Sequence, residues 1–167
     1  MSNPEENIYK TFYYSPIGLL EITGTATSIT SVTYSEKAKK DEAKSNIIVD
    51  ECVLQLDDYF NNKTESFNLS LEPAGSEFQK KVWDELLKIP YGKTITYIEQ
   101  SFRVGDSKAI RAVAKANSQN NIAIIIPCHR VIGADGNLVG YAGGLWRKKW
   151  LIEHESKKFG EQMSLRI

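Results

Sequence analysis

The stretch that decides the fold of this chain reads IAIIIPCHRV and occupies residues 122–131. Its first five residues are apolar and mostly β-branched. They predict a buried strand, which Pro127 ends because proline has no N–H to donate. A thiol (Cys128), an imidazole (His129) and a guanidinium (Arg130) follow directly, and such neighbours lower the pKa of a thiol and activate it as a nucleophile. On composition alone, an inert buried cysteine is the more common outcome at such a position.

Length and composition are those of a globular protein with one domain or two small ones. The polar, acidic N-terminus does not resemble a signal peptide, and the longest apolar run, Ile122–Ile126, has only the length of a strand. Two distant cysteines (Cys52 and Cys128) and two histidines (His129 and His154) predict neither a disulfide framework nor a metal site. We therefore expect a cytoplasmic protein with no membrane contact, no metal and no cofactor.

The zero net charge hides an asymmetry between the two halves. Residues 1–74 contain 6 Lys and Arg against 12 Asp and Glu, a net charge of −6, whereas residues 75–167 contain 15 against 9, a net charge of +6. This division predicts that only the second half meets a polyanion, although ordinary scatter of surface charge is the alternative.

The first half predicts a small α+β module with a structural role. Its elements are strands at 8–14, 19–25 and 29–34, a helix with Val49, Val53, Leu56 and Phe60 on one face, and a last strand at 67–71. Cys52 lies beside the apolar face of the helix and is expected in the core.

The second half predicts a helix-turn-helix. After a linker at residues 72–75, Ser76–Gln79 forms a capping box that starts a helix, and Thr96–Glu99 forms another that opens a short helix. A turn at Val104–Asp106 leads to a third helix, capped by Asp106 or Ser107 and running to about Asn117.

The third helix is predicted to carry a basic face. Lys108, Arg111 and Lys115 recur at spacings of three and four, and the small Ala109 and Ala112 beside them keep that face slim enough to enter a groove. A merely solvated basic face is the alternative, but in the second helix of a helix-turn-helix a nucleic-acid contact is the more typical role.

The remaining elements follow the decisive stretch. Residues 133–137 predict a hairpin turn whose flanking strands form a wing, and residues 140–144 predict a flexible glycine loop. A last helix is expected from Leu145 to Glu155, followed from Ser156 by a polar, disordered tail.

Together these residues resemble the O6-alkylguanine-DNA alkyltransferase family, the methylated-DNA–protein-cysteine methyltransferases. The resemblance covers about Phe78 to Glu155 and rests on IPCHRV at 126–131, RAV at 111–113, YAGGL at 141–145 and HE at 154–155. It implies an α/β (α+β) fold with a ribonuclease-H-like N-terminal domain (1–74) and a C-terminal winged helix-turn-helix domain (75–167).

The resemblance implies that Cys128 irreversibly accepts the alkyl group of O6-alkylguanine, and of O4-alkylthymine, in double-stranded DNA. His129, oriented by Glu155, would draw off the thiol proton through a water. Asn120 would be the hinge between the recognition helix and the cysteine loop, and Tyr97 would give the departing guanine a proton or hydrogen bond. The protein would act once, as a monomer and without a cofactor.

The resemblance also implies that the damaged nucleotide rotates out of the duplex and that Arg111 fills the gap. The other implied DNA contacts are Ser107, Lys108, Lys115 and Arg130, with the small Ala112 and Ala116 in the minor groove. The implied base pocket consists of Asn117, Tyr141, Ala142 and Gly143.

Three positions depart from the family pattern. Asn121 stands where proline is frequent, Ala142 where some relatives carry a hydroxyl, and Asn117 where many relatives are apolar, so the base pocket is expected to be more polar. The Cys and His set that binds zinc in the N-terminal domain of some relatives is missing from this sequence.

Three rival functions remain open from the residues alone. A cysteine hydrolase would use Cys128 and His129 but leaves the basic helix without a role. A zinc nucleobase deaminase needs a cysteine where Val131 stands. A DNA-binding regulator would need Cys128 only for packing.

Overall fold

The computed structural model describes residues 7–157, so the acidic N-terminus and all but the start of the expected disordered tail lie outside the described residues. The chain separates into two compact units between Ala74 and Gly75. Within residues 7–157, no helix combines the length and the apolar composition that crossing a bilayer requires.

The first unit is a three-stranded antiparallel sheet with a helix against it. Leu20 and Ile22 of the central strand are fully buried, as expected for a strand with one face in the core. The elements are β1 (Tyr9–Ser15), β2 (Gly18–Gly24), β3 (Ile29–Ser35) and α1 (Ile47–Phe60), with the strands in the spatial order β1-β2-β3.

Helix α1 begins at an Asn46 cap, whose side chain accepts a hydrogen bond from the Val49 N–H. Cys52 is fully buried on this helix, which confirms that it belongs to the core. The predicted strand at 67–71 is wrong, because only Leu71 pairs, in a single parallel bridge to Ile29. The Gln55 side chain instead bonds both the N–H and the C=O of residue 68, replacing the neighbouring strand.

The second unit begins with the predicted capping box. The Ser76 hydroxyl accepts from the Gln79 N–H at 3.1 Å, and the Gln79 side chain accepts from the Ser76 N–H at 2.8 Å. This reciprocal cap starts α2 (Glu77–Leu87). Val82, Trp83 and Leu86 form the buried face of the helix.

The predicted helix-turn-helix is present as α3 (Tyr97–Val104) and α4 (Ile110–Ser118). Gly105, in the left-handed conformation with φ +104°, ends α3. The expected start of α4 is wrong by about three residues. Asp106 accepts the N–H of Lys108 with its carboxylate and that of Ala109 with its carbonyl, which closes a turn before the helix.

The prediction of a strand at Ile122–Ile126 is also wrong. The run is buried, but it coils through two tight turns, with the Ile125 N–H bonded to the Ala123 carbonyl and the Ile126 N–H to the Ile122 carbonyl. Ile124 has φ +73°, a conformation that is costly for a β-branched residue. Period and composition alone do not separate a strand from a buried turn.

After the cysteine turn, β5 (Val131–Ile132) pairs in parallel with the short β4 (Ile95–Thr96). The predicted wing is wrong, because Leu138 and Val139 belong to no strand in the described part of the chain. A 3-10 turn at Ala134–Gly136 closes the loop instead. The last helix, α5 (Leu145–Ser156), lies where the sequence predicts it.

Candidate active site

Cys128 begins a short 3-10 turn and is 8% exposed. It lies in the wall of a cavity of about 270 Å³. Helix α3 contributes Tyr97, helix α4 contributes one side, and the segment before α5 contributes the other. The remaining lining residues are Ile110, Arg111, Ala114, Asn117, Ser118, Val139, Gly140 and Tyr141.

Asn120, two residues beyond α4, joins that helix to the thiol. Its Nδ2 donates to the Ile126 carbonyl at 2.8 Å and to Cys128 Sγ at 3.3 Å. Its Oδ1 accepts from the Ile122 N–H at 3.0 Å. The side chain thus closes the coiled apolar run and fixes the position of the sulfur.

His129 and Glu155 form a buried pair, with 2.7 Å between Nε2 and Oε1. The structure corrects the placement of Arg130, which is 7% exposed and faces the protein interior. Its Nε and Nη2 donate to the two oxygens of Glu155 at 2.8 and 3.0 Å, and its Nη1 donates to the Ile89 carbonyl. Arg130 is therefore a partner of Glu155 and is not available to DNA phosphates in this arrangement.

This arrangement sets the protonation of the histidine. Burial lowers the pKa of His129 and outweighs the opposing effect of Glu155, so the ring is neutral at neutral pH. Burial alone would raise the pKa of Glu155, but His129 and Arg130 hold it well below its usual value. An ionised Glu155 only accepts hydrogen bonds, so Nε2 carries the ring proton and Nδ1 keeps its lone pair. Nδ1 has no hydrogen-bond partner among residues 7–157.

Lys148 is a site residue that the sequence analysis missed. It is fully buried, and its Nζ donates to the Tyr97 hydroxyl at 3.1 Å and to the carbonyls of Val139 and Gly140 at 3.3 and 3.2 Å. The signal was available, because residues 148, 151, 152 and 155 share the buried face of α5. A lysine on the apolar side of such a helix is expected to have a specific buried partner.

Lys148 acts electrostatically on the thiol. Burial raises the pKa of Cys128, while the Asn120 hydrogen bond and the Lys148 charge lower it. Burial lowers the pKa of Lys148 to about 8, and the cysteine opposes this shift. Burial, together with Cys128, raises the pKa of Tyr97 to about 12, so its hydroxyl keeps its proton and donates to the Val139 carbonyl at 2.6 Å.

The outer face of α4 matches the predicted basic face in part. Arg111, Ala112 and Lys115 are exposed, and Arg111 also lines the cavity. Ala116 is only 2% exposed, and its carbonyl accepts from the Trp83 indole, which corrects its expected place in a groove. Ser107 and Lys108 are exposed in the turn before the helix.

The glycine loop meets the cavity only through its first residues. Tyr141 lines the wall, whereas Ala142 is exposed and outside it. Gly143 is buried, and its carbonyl accepts from Arg147 Nη1 at 2.7 Å. Within residues 7–157, no group of three or more His, Cys, Asp or Glu side chains could hold a metal ion.

Comparison with known proteins matches both parts of the chain to family models. These are the ribonuclease-like domain of 6-O-methylguanine DNA methyltransferase, over residues 8–73, and its DNA binding domain, over residues 77–157. The expected fold class is thereby confirmed.

Individual relatives extend over most of the chain. A methylated-DNA–protein-cysteine methyltransferase of Methanosarcina barkeri is 44% identical over 153 residues, which are 89% of this chain and 97% of the relative. One of Mycobacterium leprae is 45% identical over 90% of this chain and 94% of the relative. A crystal structure of Mycobacterium tuberculosis OGT in complex with DNA is 39% identical with a TM-score of 0.81, covering 90% of this chain and 93% of that one.

Replacing Lys148 by methionine tests its effect on the thiol. We expect the pKa of Cys128 to rise, because the buried positive charge that favours the thiolate is removed. The pH dependence of thiol alkylation by iodoacetamide, followed by mass spectrometry, measures that pKa. Lys149→Met, a partly exposed neighbour, is the control and should leave the profile unchanged. An unshifted profile in Lys148→Met would show that the charge does not reach the sulfur.

Proposed function

The chain belongs to the methylated-DNA–protein-cysteine methyltransferase family, and we propose that it repairs DNA by direct reversal, moving the alkyl group of O6-alkylguanine to Cys128. The observation that carries the proposal is the nearly buried thiol in a cavity wall beside a neutral histidine whose Nδ1 lone pair is free. A nucleophile, a base and an acid that orients the base repeat the logic of a catalytic triad.

The chemical step is an in-line displacement. The Cys128 proton passes to His129 Nδ1 through a water, and the thiolate attacks the alkyl carbon. A carbon–sulfur bond forms, the carbon–oxygen bond breaks, and the guanine leaves with the bonding electrons. Tyr97 keeps its proton at neutral pH and can donate a hydrogen bond to the departing base once it releases the Val139 carbonyl. A thioether has no easy route back to a thiol, so each molecule acts once.

Access to the lesion requires the nucleotide to leave the stack, at a cost of a few kcal/mol. Arg111 is exposed on α4 and reaches the cavity, which suits a side chain that fills the vacated space. Ala112 beside it allows close approach to a groove. Ser107, Lys108 and Lys115 would bind phosphates, a sequence-independent attraction that fits the net charge of +6 on residues 75–167. Arg130 and Ala116 are buried, so we do not include them among the residues that contact DNA.

The proposal also covers the range of substrates, the roles of the two domains and the cellular location. O4-alkylthymine presents an equivalent alkyl carbon on an exocyclic oxygen, so we include it as a substrate. We propose that residues 75–167 act as the DNA-binding and reactive domain, within a monomer, and that residues 1–74 have a structural role. A reducing cytoplasm suits a reaction that needs a free thiol.

Labelled methyl transfer tests the reaction. With duplex DNA carrying O6-[³H]methylguanine, we expect label on Cys128, identified by peptide mass spectrometry, at a plateau of about one methyl per protein. Cys128→Ser should take up none. Cys52→Ser is the matched control and should react normally, since Cys52 is buried in the other unit. Continued turnover, or label elsewhere, would contradict the mechanism.

The buried base relay can be tested by removing its charges together. Glu155→Gln alone leaves Arg130 as an uncompensated buried charge, which is strongly destabilising, so the informative variant is Arg130→Met/Glu155→Gln. We expect it to fold, as judged by circular dichroism, and to transfer methyl about two orders of magnitude more slowly, because His129 loses the partner that fixes its tautomer. A folded variant with the wild-type pH–rate profile would exclude Glu155 from the relay.

Arg111→Ala separates DNA distortion from chemistry. Single-turnover repair in duplex DNA should slow by about tenfold, because the cost of unstacking is no longer partly offset. Reaction with the free O6-methylguanine base should be unchanged, since no stack has to be filled. Lys115→Ala, the control on the same face, should weaken DNA binding and its salt dependence without slowing repair at saturating DNA. Equal losses on both substrates would refute the role of Arg111.

A further inference from the structure

A pair of amides lies buried between α3 and α4, at one wall of the cavity. Gln100 Nε2 donates to Asn117 Oδ1 at 2.9 Å, and Asn117 Nδ2 donates to Gln100 Oε1 at 2.6 Å. Gln100 is fully buried and Asn117 is 5% exposed. Only Asn117 lines the cavity. Neither residue belongs to the base relay described above.

The pair leaves hydrogen-bonding capacity unused. A carboxamide has two N–H groups and two acceptor lone pairs, and both side-chain hydrogen bonds of Asn117 go to Gln100 within the described part of the chain. One N–H and one lone pair therefore remain on a side chain at the cavity wall. The cavity that Asn117 lines is mostly apolar, with Ile110, Ala114 and Val139 among its lining residues. Because an unused polar group in such surroundings is costly, this wall is suited to a ligand with a hydrogen-bonding atom.

The reciprocal geometry restricts the kind of atom that fits. If both amides turn over together, each N–H and carbonyl exchange places and both mutual hydrogen bonds are kept. The pair can thus present either a donor or an acceptor while both mutual hydrogen bonds are kept. A hydroxyl, which is both a donor and an acceptor, can bond to either orientation, whereas a carboxylate can only accept.

We propose that Asn117, held by Gln100, determines specificity for the transferred group by bonding to a hydroxyl on it. The protein then favours O6-hydroxyalkylguanines, with O6-(2-hydroxyethyl)guanine as the simplest case, over apolar alkyl groups of equal size. This inference rests on the proposed alkyl transfer to Cys128 and refines its substrate class. In this role Gln100 is a positioning residue, since it acts only through Asn117.

The test compares two nearly isosteric lesions. Single-turnover rate constants are measured for duplexes carrying O6-(2-hydroxyethyl)guanine or O6-propylguanine, with O6-methylguanine as the reference. The variant is Gln100→Leu/Asn117→Leu, which removes both amides and so leaves neither unpaired. We expect the ratio of the hydroxyethyl rate to the propyl rate to fall about fivefold, the usual worth of one hydrogen bond. Intrinsic differences between the two alkyl carbons cancel in that comparison.

The controls distinguish a failure of the specificity proposal from a failure of the proposed alkyl transfer. Ile110→Val changes the volume of the same cavity without touching the amides, and it should leave the ratio as in the wild type. If the double variant does not fold, Gln100→Ala/Asn117→Ala gives the same comparison. An unchanged ratio in a folded variant that still repairs O6-methylguanine overturns the specificity proposal alone. A wild-type protein that transfers no methyl group from O6-methylguanine overturns the proposed function instead.

Discussion

The arrangement of the reactive unit depends on one carboxamide, that of Asn120. It bonds the backbone of the coiled apolar run at both ends and the sulfur of Cys128. It therefore satisfies backbone groups that a strand partner would otherwise satisfy, in a segment where Ile124 is held in a costly conformation. Because Asn120 lies just beyond α4, the position of the thiol is tied to the helix proposed to read DNA.

Among residues 7–157, the buried charges around the thiol are balanced except for that of Lys148. Arg130 and Glu155 neutralise each other, His129 is neutral, and Lys148 remains as a buried cation bonded to neutral oxygens. Formation of a thiolate at Cys128 would supply the missing negative charge. The site is thus preorganised electrostatically for the ionised form of its nucleophile, while burial keeps the resting form a thiol.

Local signals in the sequence predicted the helices and their caps well. Ser76 and Thr96 begin helices as their capping patterns indicate, and the pairing of His129 with Glu155 follows from the family resemblance. The errors arose where a side chain takes over a backbone role. Gln55 and Asn120 replace strand pairing, and Asp106 delays the start of α4. Arg130 was expected to contact DNA and Lys148 had no predicted role, whereas each is buried with specific partners that only the tertiary structure brings together.

The burial of Cys128 has a consequence for the time between synthesis and use. In the proposed mechanism each Cys128 thiol reacts only once, so an oxidant or another electrophile that reaches it first inactivates the molecule. Thiolates are the vulnerable form, and a raised pKa together with 8% exposure keeps the waiting sulfur protonated and screened. The enclosure therefore affects how long the protein stays active before use, and under the proposed mechanism the repair capacity of a cell equals the number of molecules whose Cys128 has not yet reacted.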